Sequence, residues 1–287
     1  MFHVEHFPLS RLASPAKLAV VWRVPHAITL AVANQKGGVA KTTTAINLAT
    51  SLAIEGFQVL LVDCDPQANA TGGLGIARDQ VGKTTYDLLL GEAAASEVIV
   101  KTRVSNLRLI PASRALAGAN VELVALDRRE FRLREALAPV LEDFDFILFD
   151  CPPALDLLTL NALIATRYIV IPMQAEYFAL EGVTDLLYTI ERIQDAFNPE
   201  LLVQGVLLTM YDDRTLLAQQ VTENLRGYFG DGLYKTVIPR NIRLAEAPSH
   251  GLPVLFYDPR SRGAEAYRAL ARELLERLKI PLPVEEA

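Results

Sequence analysis

The chain has 287 residues, 51% of them apolar and 22% charged, and a net charge of −6. That length buries a full core in one large domain or two small ones, and the composition excludes disorder and low complexity. No apolar run is long enough to cross a bilayer, and two cysteines, Cys64 and Cys151, are too few for a disulfide scaffold or a cysteine-ligated zinc site. A reducing cytoplasm fits best. The acidic balance argues against a wholesale nucleic-acid coat protein but leaves room for a local basic patch.

Residues 1–26 have no basic segment followed by an apolar one, so they are no secretory signal and are expected to be a poorly ordered extension. Met1-Phe2-His3-Val4-Glu5-His6 back-translates as ATG TTC CAC GTG GAA CAT, a sequence that is its own reverse complement. From residue 27 onward, strand-like runs alternate with helix-period segments. Residues 27–33 read as a strand, 42–55 as a helix stopped at Gly56, and 58–63 as a strand. A strand at 107–111 and a helix at 132–141 follow. The apolar run at 145–150 is a strand buried on both faces. Helices at 157–165, 180–197, 216–229 and 263–279 then alternate with strands at 168–172, 203–210 and 233–238. Repeated βα units predict one α/β domain over 27–280: a mostly parallel twisted sheet with helices on both faces. The tail 281–287 is proline-broken and acidic.

The first strand runs into Asn34-Gln35-Lys36-Gly37-Gly38-Val39-Ala40-Lys41-Thr42-Thr43, and a helix follows. Strand, glycine-rich loop and helix N-terminus in that order make a phosphate loop. Its N–H groups can surround phosphates because glycine lets the backbone approach, and the helix end adds partial positive charge. Lys41 is placed for the β- and γ-phosphates, and the Thr42 hydroxyl for Mg²⁺. The loop departs twice from G-x-x-x-x-G-K-S/T. Polar residues and an extra lysine, Lys36, replace the first glycine near position 34, and Ala40 replaces the second. If position 40 takes a positive φ, alanine costs about 1 kcal/mol relative to glycine.

Lys36-Gly37-Gly38-x-x-Lys41-Thr42 resembles the deviant Walker A motif of the ParA/MinD ATPases. The resemblance implies a single-domain P-loop NTPase fold, ATP and Mg²⁺ as cofactors, and a homodimer that sandwiches nucleotide. Lys36 would then reach the partner's ATP phosphates and supply charge in trans.

The second strand ends in Asp63-Cys64-Asp65-Pro66-Gln67-Ala68-Asn69-Ala70-Thr71. Carboxylates at the carboxyl end of a central parallel strand face the ligand crevice. Asp65 is placed to orient or activate the attacking water, and Asp63 to support the metal shell, although an Asp before such a turn can also cap it. The segment is similar to the switch segment of ParA rather than of MinD. Phe146-Ile147-Leu148-Phe149-Asp150 reads as Walker B, delivering Asp150 to Mg²⁺ directly or through water. Cys151 beside it is a small buried residue, not a ligand.

The segments ending at Met210-Tyr211 and at Pro239-Arg240-Asn241 resemble the family's adenine-sandwiching segments, which assigns Met210, Pro239, Arg240 and Asn241 to the base side. No N-K-x-D guanine reader occurs, so ATP is preferred over GTP. Residues 201–279 hold 11 Lys+Arg against 9 Asp+Glu, a local positive bias in an acidic chain. Arg214 and Arg243 match positions linked to non-specific double-stranded DNA binding in chromosomal ParA (Soj) proteins. The family also implies a ParB-like (Spo0J-like) partner and nucleoid association. The acidic tail, which anionic lipid would repel, implies no membrane role. The centromere-like parS sites of this system resemble TGTTCCACGTGGAACA, so the codons for Met1–His6 are expected to lie in such a site. A MinD-like positioning ATPase and a metabolic or cofactor-assembly ATPase of the same superfamily are the alternatives.

Overall fold

The computed structural model describes residues 27–77, 81–176 and 179–283. Met1–His6, the rest of 1–26 and the last residues of the acidic tail lie outside them. The first half runs β1 Ile28–Val32, α1 Lys41–Ile54, β2 Val59–Asp63, α2 Asn69–Gly73, α3 Thr85–Leu90, α4 Ala95–Val98, β3 Val100–Lys101, β4 Leu107–Ile110, α5 Leu116–Glu122 and α6 Arg132–Leu137. The second half runs β5 Phe146–Asp150, α7 Leu157–Ile164, β6 Tyr168–Gln174, α8 Ala179–Ala196, β7 Leu202–Thr209, α9 Leu216–Phe229, α10 Ile242–Glu246, α11 Val254–Tyr257 and α12 Arg262–Leu278.

Seven strands form one sheet in the order β3-β4-β2-β5-β1-β6-β7. All neighbours pair parallel except the short antiparallel β3–β4 pair at one edge. The continuous apolar runs have the expected cause: β2 and β5 are buried at every residue. Their side chains divide by period two between the faces. Ala31, Ile147 and Phe149 join the core under α3 and α5–α9, whereas Leu30, Val32, Phe146 and Leu148 join the core under α1 and α12. On that second face a hydroxyl pair, Thr44 Oγ1 to Tyr267 OH at 3.1 Å, ties α12 to α1.

The chain leaves β1 toward β2 and leaves β5 toward β6, in opposite directions across the sheet. The topological switch point therefore falls between adjacent β1 and β5 at their carboxyl ends, where open α/β sheets bind ligands. The register levels three strands there, with Asp150 opposite both Val32 and Asp63.

Two expectations need correction. The strand expected at 233–238 is not part of the ladder: only isolated bridges, Val206 to Leu233 and Tyr211 to Pro239, join this stretch to the sheet side. The cause lies in α12. Glu273 accepts the Lys235 and Thr236 N–H groups, both at 2.8 Å, so these donors turn away from β7. Arg277 holds that carboxylate at 2.7 Å and covers the Tyr234 ring at 4.1 Å. The helix expected at 132–141 is α6 only to Leu137, and a 3₁₀ segment carrying Pro139 completes it. The short helices between residues 85 and 122 lack the length at which periodicity becomes legible.

Candidate functional site

The loop after β1 is built to turn its amides one way. Gly38 and Ala40 both take left-handed backbone, at φ +75° and +63°. Ala40 therefore stands at the position where glycine is the relaxed choice, at a cost of about 1 kcal/mol. A Cβ on Gly37 or Gly38 would meet nothing within 4 Å, so this stretch of backbone faces open space. Helix α1 starts directly behind it with no side-chain cap. Its first-turn N–H groups are thus left for a ligand, and anions are what such a terminus attracts.

Side chains from β6 and β7 hold the outer side of the loop. Asn34 donates from Nδ2 to the Pro172 carbonyl at 2.8 Å and accepts the Lys36 N–H on Oδ1 at 2.9 Å. Gln174 donates to the Gly38 carbonyl at 2.9 Å. Fully buried Thr209 has its hydroxyl 3.1 Å from the carbonyls of both Val39 and Met173. Lys41, 7% exposed, donates to the Lys36 carbonyl at 2.9 Å. Burial lowers its pKa, and Asp150, Cys151 and Asp65 partly restore it. The Lys36 ammonium forms a short ion pair with Glu176, just after β6, and both side chains are about half exposed.

Three carboxylates stand at the levelled strand ends, and they differ. Both oxygens of Asp63 are engaged. Oδ2 accepts from the Thr71 N–H at 2.8 Å and the Thr71 hydroxyl at 2.7 Å, and Oδ1 accepts from the Asp65 N–H at 3.2 Å. Asp63 thus pins the segment that carries Asp65. Its burial pushes its pKa to about 6 against the pull of those bonds. Asp65, 7% exposed, accepts the Gln67 N–H at 2.9 Å. Asp150 is fully buried, and among the described residues neither oxygen has a hydrogen bond of good geometry, the Thr42 hydroxyl standing beside it as a weak donor at most. Burial and the neighbouring Asp63 raise its pKa well above the usual range, while the Thr42 hydroxyl and Lys41 pull the other way.

A buried carboxylate with no partner costs several kcal/mol unless a cation or proton compensates it. Among the described residues no group of three or more His, Cys, Asp or Glu side chains could hold a metal. A cation at Asp150 must complete its shell with hydroxyl, water and phosphate oxygens, and Mg²⁺ is bound in that way. The residues present fit it: Asp150 and the Thr42 hydroxyl. Cys64 and Cys151 are buried free thiols with pKa values pushed up by burial, so neither is poised as a thiolate ligand.

On the other flank, Met210 (φ +48°) turns the chain out of β7, and Tyr211 meets Pro239 in a bridge. The Tyr211 N–H donates to the Ile238 carbonyl at 3.0 Å, and the Arg240 N–H to the Tyr211 carbonyl at 3.1 Å. Met210, Pro239 and Arg240 are thereby drawn together, with Asn241 next in the chain. Asn241 Oδ1 caps α10 by accepting the Arg243 N–H at 2.8 Å. Arg214, 83% exposed, is chelated by Asp212 through bonds of 2.8 and 2.6 Å. Arg243 sits between Glu246 at 2.8 Å and Asp258 at 3.3 Å. Thr209, Gln174 and Glu176 are the residues that the sequence does not single out. Each lies more than a hundred residues from its loop partner, and no local pattern marks it.

An amide cradle, a buried lysine and an orphaned carboxylate at the topological switch point define a phosphate-loop NTPase. A family model described as an AAA domain matches residues 27–203. The chain is 55% identical over 245 residues to the sporulation initiation inhibitor protein Soj of Bacillus subtilis, covering 85% of this chain and 97% of that one. It is 50% identical over 248 residues to the chromosome partitioning protein ParA of Myxococcus xanthus, covering 86% and 88%. A solved structure of cobyrinic acid a,c-diamide synthase from Mycobacterium smegmatis, with bound ADP and magnesium, superposes with a TM-score of 0.78 at 37% identity, covering 90% and 99%. The chain belongs to the ParA/Soj family of chromosome-partitioning ATPases.

Proposed function

We propose that this chain is an Mg²⁺-dependent ATPase that acts as a DNA-bound switch in chromosome or plasmid segregation. The observation that carries this is Asp150, buried and unpaired beside Lys41 and Thr42, a charge arrangement that asks for a cation and a polyphosphate together. Thr42 and Asp150 would hold Mg²⁺, which when bound draws charge from the transferring phosphoryl group. Loop residues 37–43 and Lys41 bind the phosphates, Met210, Pro239, Arg240 and Asn241 face the base, and Asp65 orients the attacking water. Asp63 acts on the metal shell from behind, through the Asp65 segment that it pins.

ATP closes a homodimer in which Lys36 leaves Glu176 and enters the partner's triphosphate site. That exchange is easy, because a half-exposed ion pair is worth at most about 1 kcal/mol. The dimer aligns two basic surfaces, including Arg214 and Arg243, on DNA without reading its sequence, and hydrolysis, stimulated by a ParB-like partner, releases it. The protein would work at the nucleoid, and among the described residues no helix is long and apolar enough to cross a membrane. The codons of Met1–His6 would form a parS-like site, which any codon set that breaks the inverted repeat rules out.

The decisive experiment pairs ATP turnover with gel shift on arbitrary duplex in ATP, ADP or no nucleotide. The expected result is Mg²⁺-dependent turnover, lost in Asp150→Asn, and salt-sensitive binding only with ATP. Turnover that needs a small-molecule substrate, with no shift, would instead indicate a metabolic ATPase. ATP-dependent binding to anionic liposomes would indicate a membrane-positioning one.

A further inference from the structure

Planar trans peptides link each carbonyl to the next amide: fixing C=O of one residue aims the N–H of the following residue the opposite way. In the phosphate loop, two such carbonyls are held from outside by side chains at the ends of β6 and β7. Gln174, from the end of β6, takes the Gly38 carbonyl at 2.9 Å and so aims the Val39 N–H. Thr209, from the end of β7, has its hydroxyl 3.1 Å from both the Val39 and the Met173 carbonyls. Its one hydrogen, shared between them, holds the Val39 carbonyl to the end of β6 and β7 and aims the Ala40 N–H. The two anchors are themselves paired across the sheet, Gln174 opposite Thr209. Gln174 Nε2 also lies 3.6 Å from Met210 Sδ, where the base-side segment begins.

The need for such anchors follows from Ala40. A loop with glycine before the lysine enters the left-handed region without penalty, whereas alanine there pulls the peptide back toward right-handed backbone. Thr209 grips the peptide bond that precedes Ala40, in a setting with no solvent to compete: Thr209 is 0% and Val39 1% exposed. We infer that Thr209, with Gln174, is a positioning residue that holds the Val39 and Ala40 amides toward the phosphates and so offsets the strain at Ala40. The inference rests on the ATP-binding role proposed above and names residues outside it.

The test is titration of the full-length chain with a fluorescent N-methylanthraniloyl ATP and Mg²⁺, alongside steady-state turnover and thermal melting. Thr209→Val keeps the shape and removes the hydroxyl, and it should raise Kd and KM about tenfold, the loss of one buried hydrogen bond. Turnover at saturation should stay within about twofold, because Thr209 touches no reacting atom. Thr209→Ser should restore binding to near the wild-type value. Gln174→Leu should weaken binding about threefold, half-buried as it is. In an Ala40→Gly background the Thr209→Val penalty should shrink to about threefold, since glycine holds the left-handed turn with less help.

Wild-type affinity in a folded Thr209→Val protein overturns the inference, as does equal impairment in the Val and Ser variants, which would mark a steric role. If Thr209→Val does not fold, Gln174→Leu decides, and unchanged affinity there overturns the inference too. A wild-type chain that fails to bind the analogue overturns the ATP-binding role itself, a result distinct from both.

Discussion

The two flanks of the crevice are made differently. On the phosphate flank, residues 34–43 and 63–71 form two contiguous segments, the first held from outside by Gln174, Thr209 and the Pro172 carbonyl. On the base and arginine flank, residues 209–214 and 239–258 meet through bridges, a helix cap and ion pairs. The phosphate flank leaves the first turn of α1 without a side-chain cap. The other flank already satisfies its charges internally, since both candidate DNA arginines rest against carboxylates. Under the proposed function, DNA binding at Arg214 and Arg243 would have to compete with Asp212, Glu246 and Asp258, whereas phosphate binding would displace the Lys41 to Lys36 contact and the Lys36–Glu176 ion pair.

The largest expected effect breaks the phosphate flank across the dimer. Lys36→Ala should lower turnover by about 10³-fold or more, as loss of a charge delivered in trans does, with one subunit's ATP binding kept. Light scattering with a slowly cleaved analogue should then report a monomer, and a stable dimer would remove Lys36 from its role. Asp65→Ala comes next. Turnover should fall about 10²- to 10⁴-fold while the ATP-bound dimer stays trapped on DNA, so normal hydrolysis would return Asp65 to a turn-capping role. On the other flank, Arg243→Ala should weaken duplex binding about tenfold and flatten the slope of log K against log salt by about 0.9, one phosphate contact. An unchanged slope would make Arg243 a strut between α10 and Asp258. The smallest effect is Ala40→Gly. Relief of the left-handed alanine should stabilise the fold by about 1 kcal/mol and raise Tm by about 2 °C in thermal melting, and an unchanged or lower Tm would show that the strain is already offset.

What was legible in the sequence follows the same division. Lys36, Gly37, Gly38, Lys41, Thr42, Asp65 and Asp150 stand out because strand ends and glycine turns leave local signatures, and the structure places all of them around one crevice. The alternation of β1, α1 and β2 was legible for the same reason. The special backbone at Ala40 could be named only as a condition, because a sequence does not print φ. Thr209, Gln174 and Glu176 were not legible, since a threonine ending an apolar strand looks like any other until sheet order sets β6 and β7 beside the loop. The strand expected at 233–238 failed on a long-range competitor. Glu273, almost forty residues on, takes the amides that a ladder needs.

That carboxylate has a consequence for how the molecule behaves in company. The rim of a sheet is ordinarily an invitation to foreign chains, because its unpaired amides accept any extended backbone of the right spacing. Here the outermost stretch beyond β7 presents Lys235 and Thr236 with their hydrogens already claimed, and Arg277 keeps the claimant in place. Two donors on this border, the Lys235 and Thr236 amides, are thereby closed to an added strand.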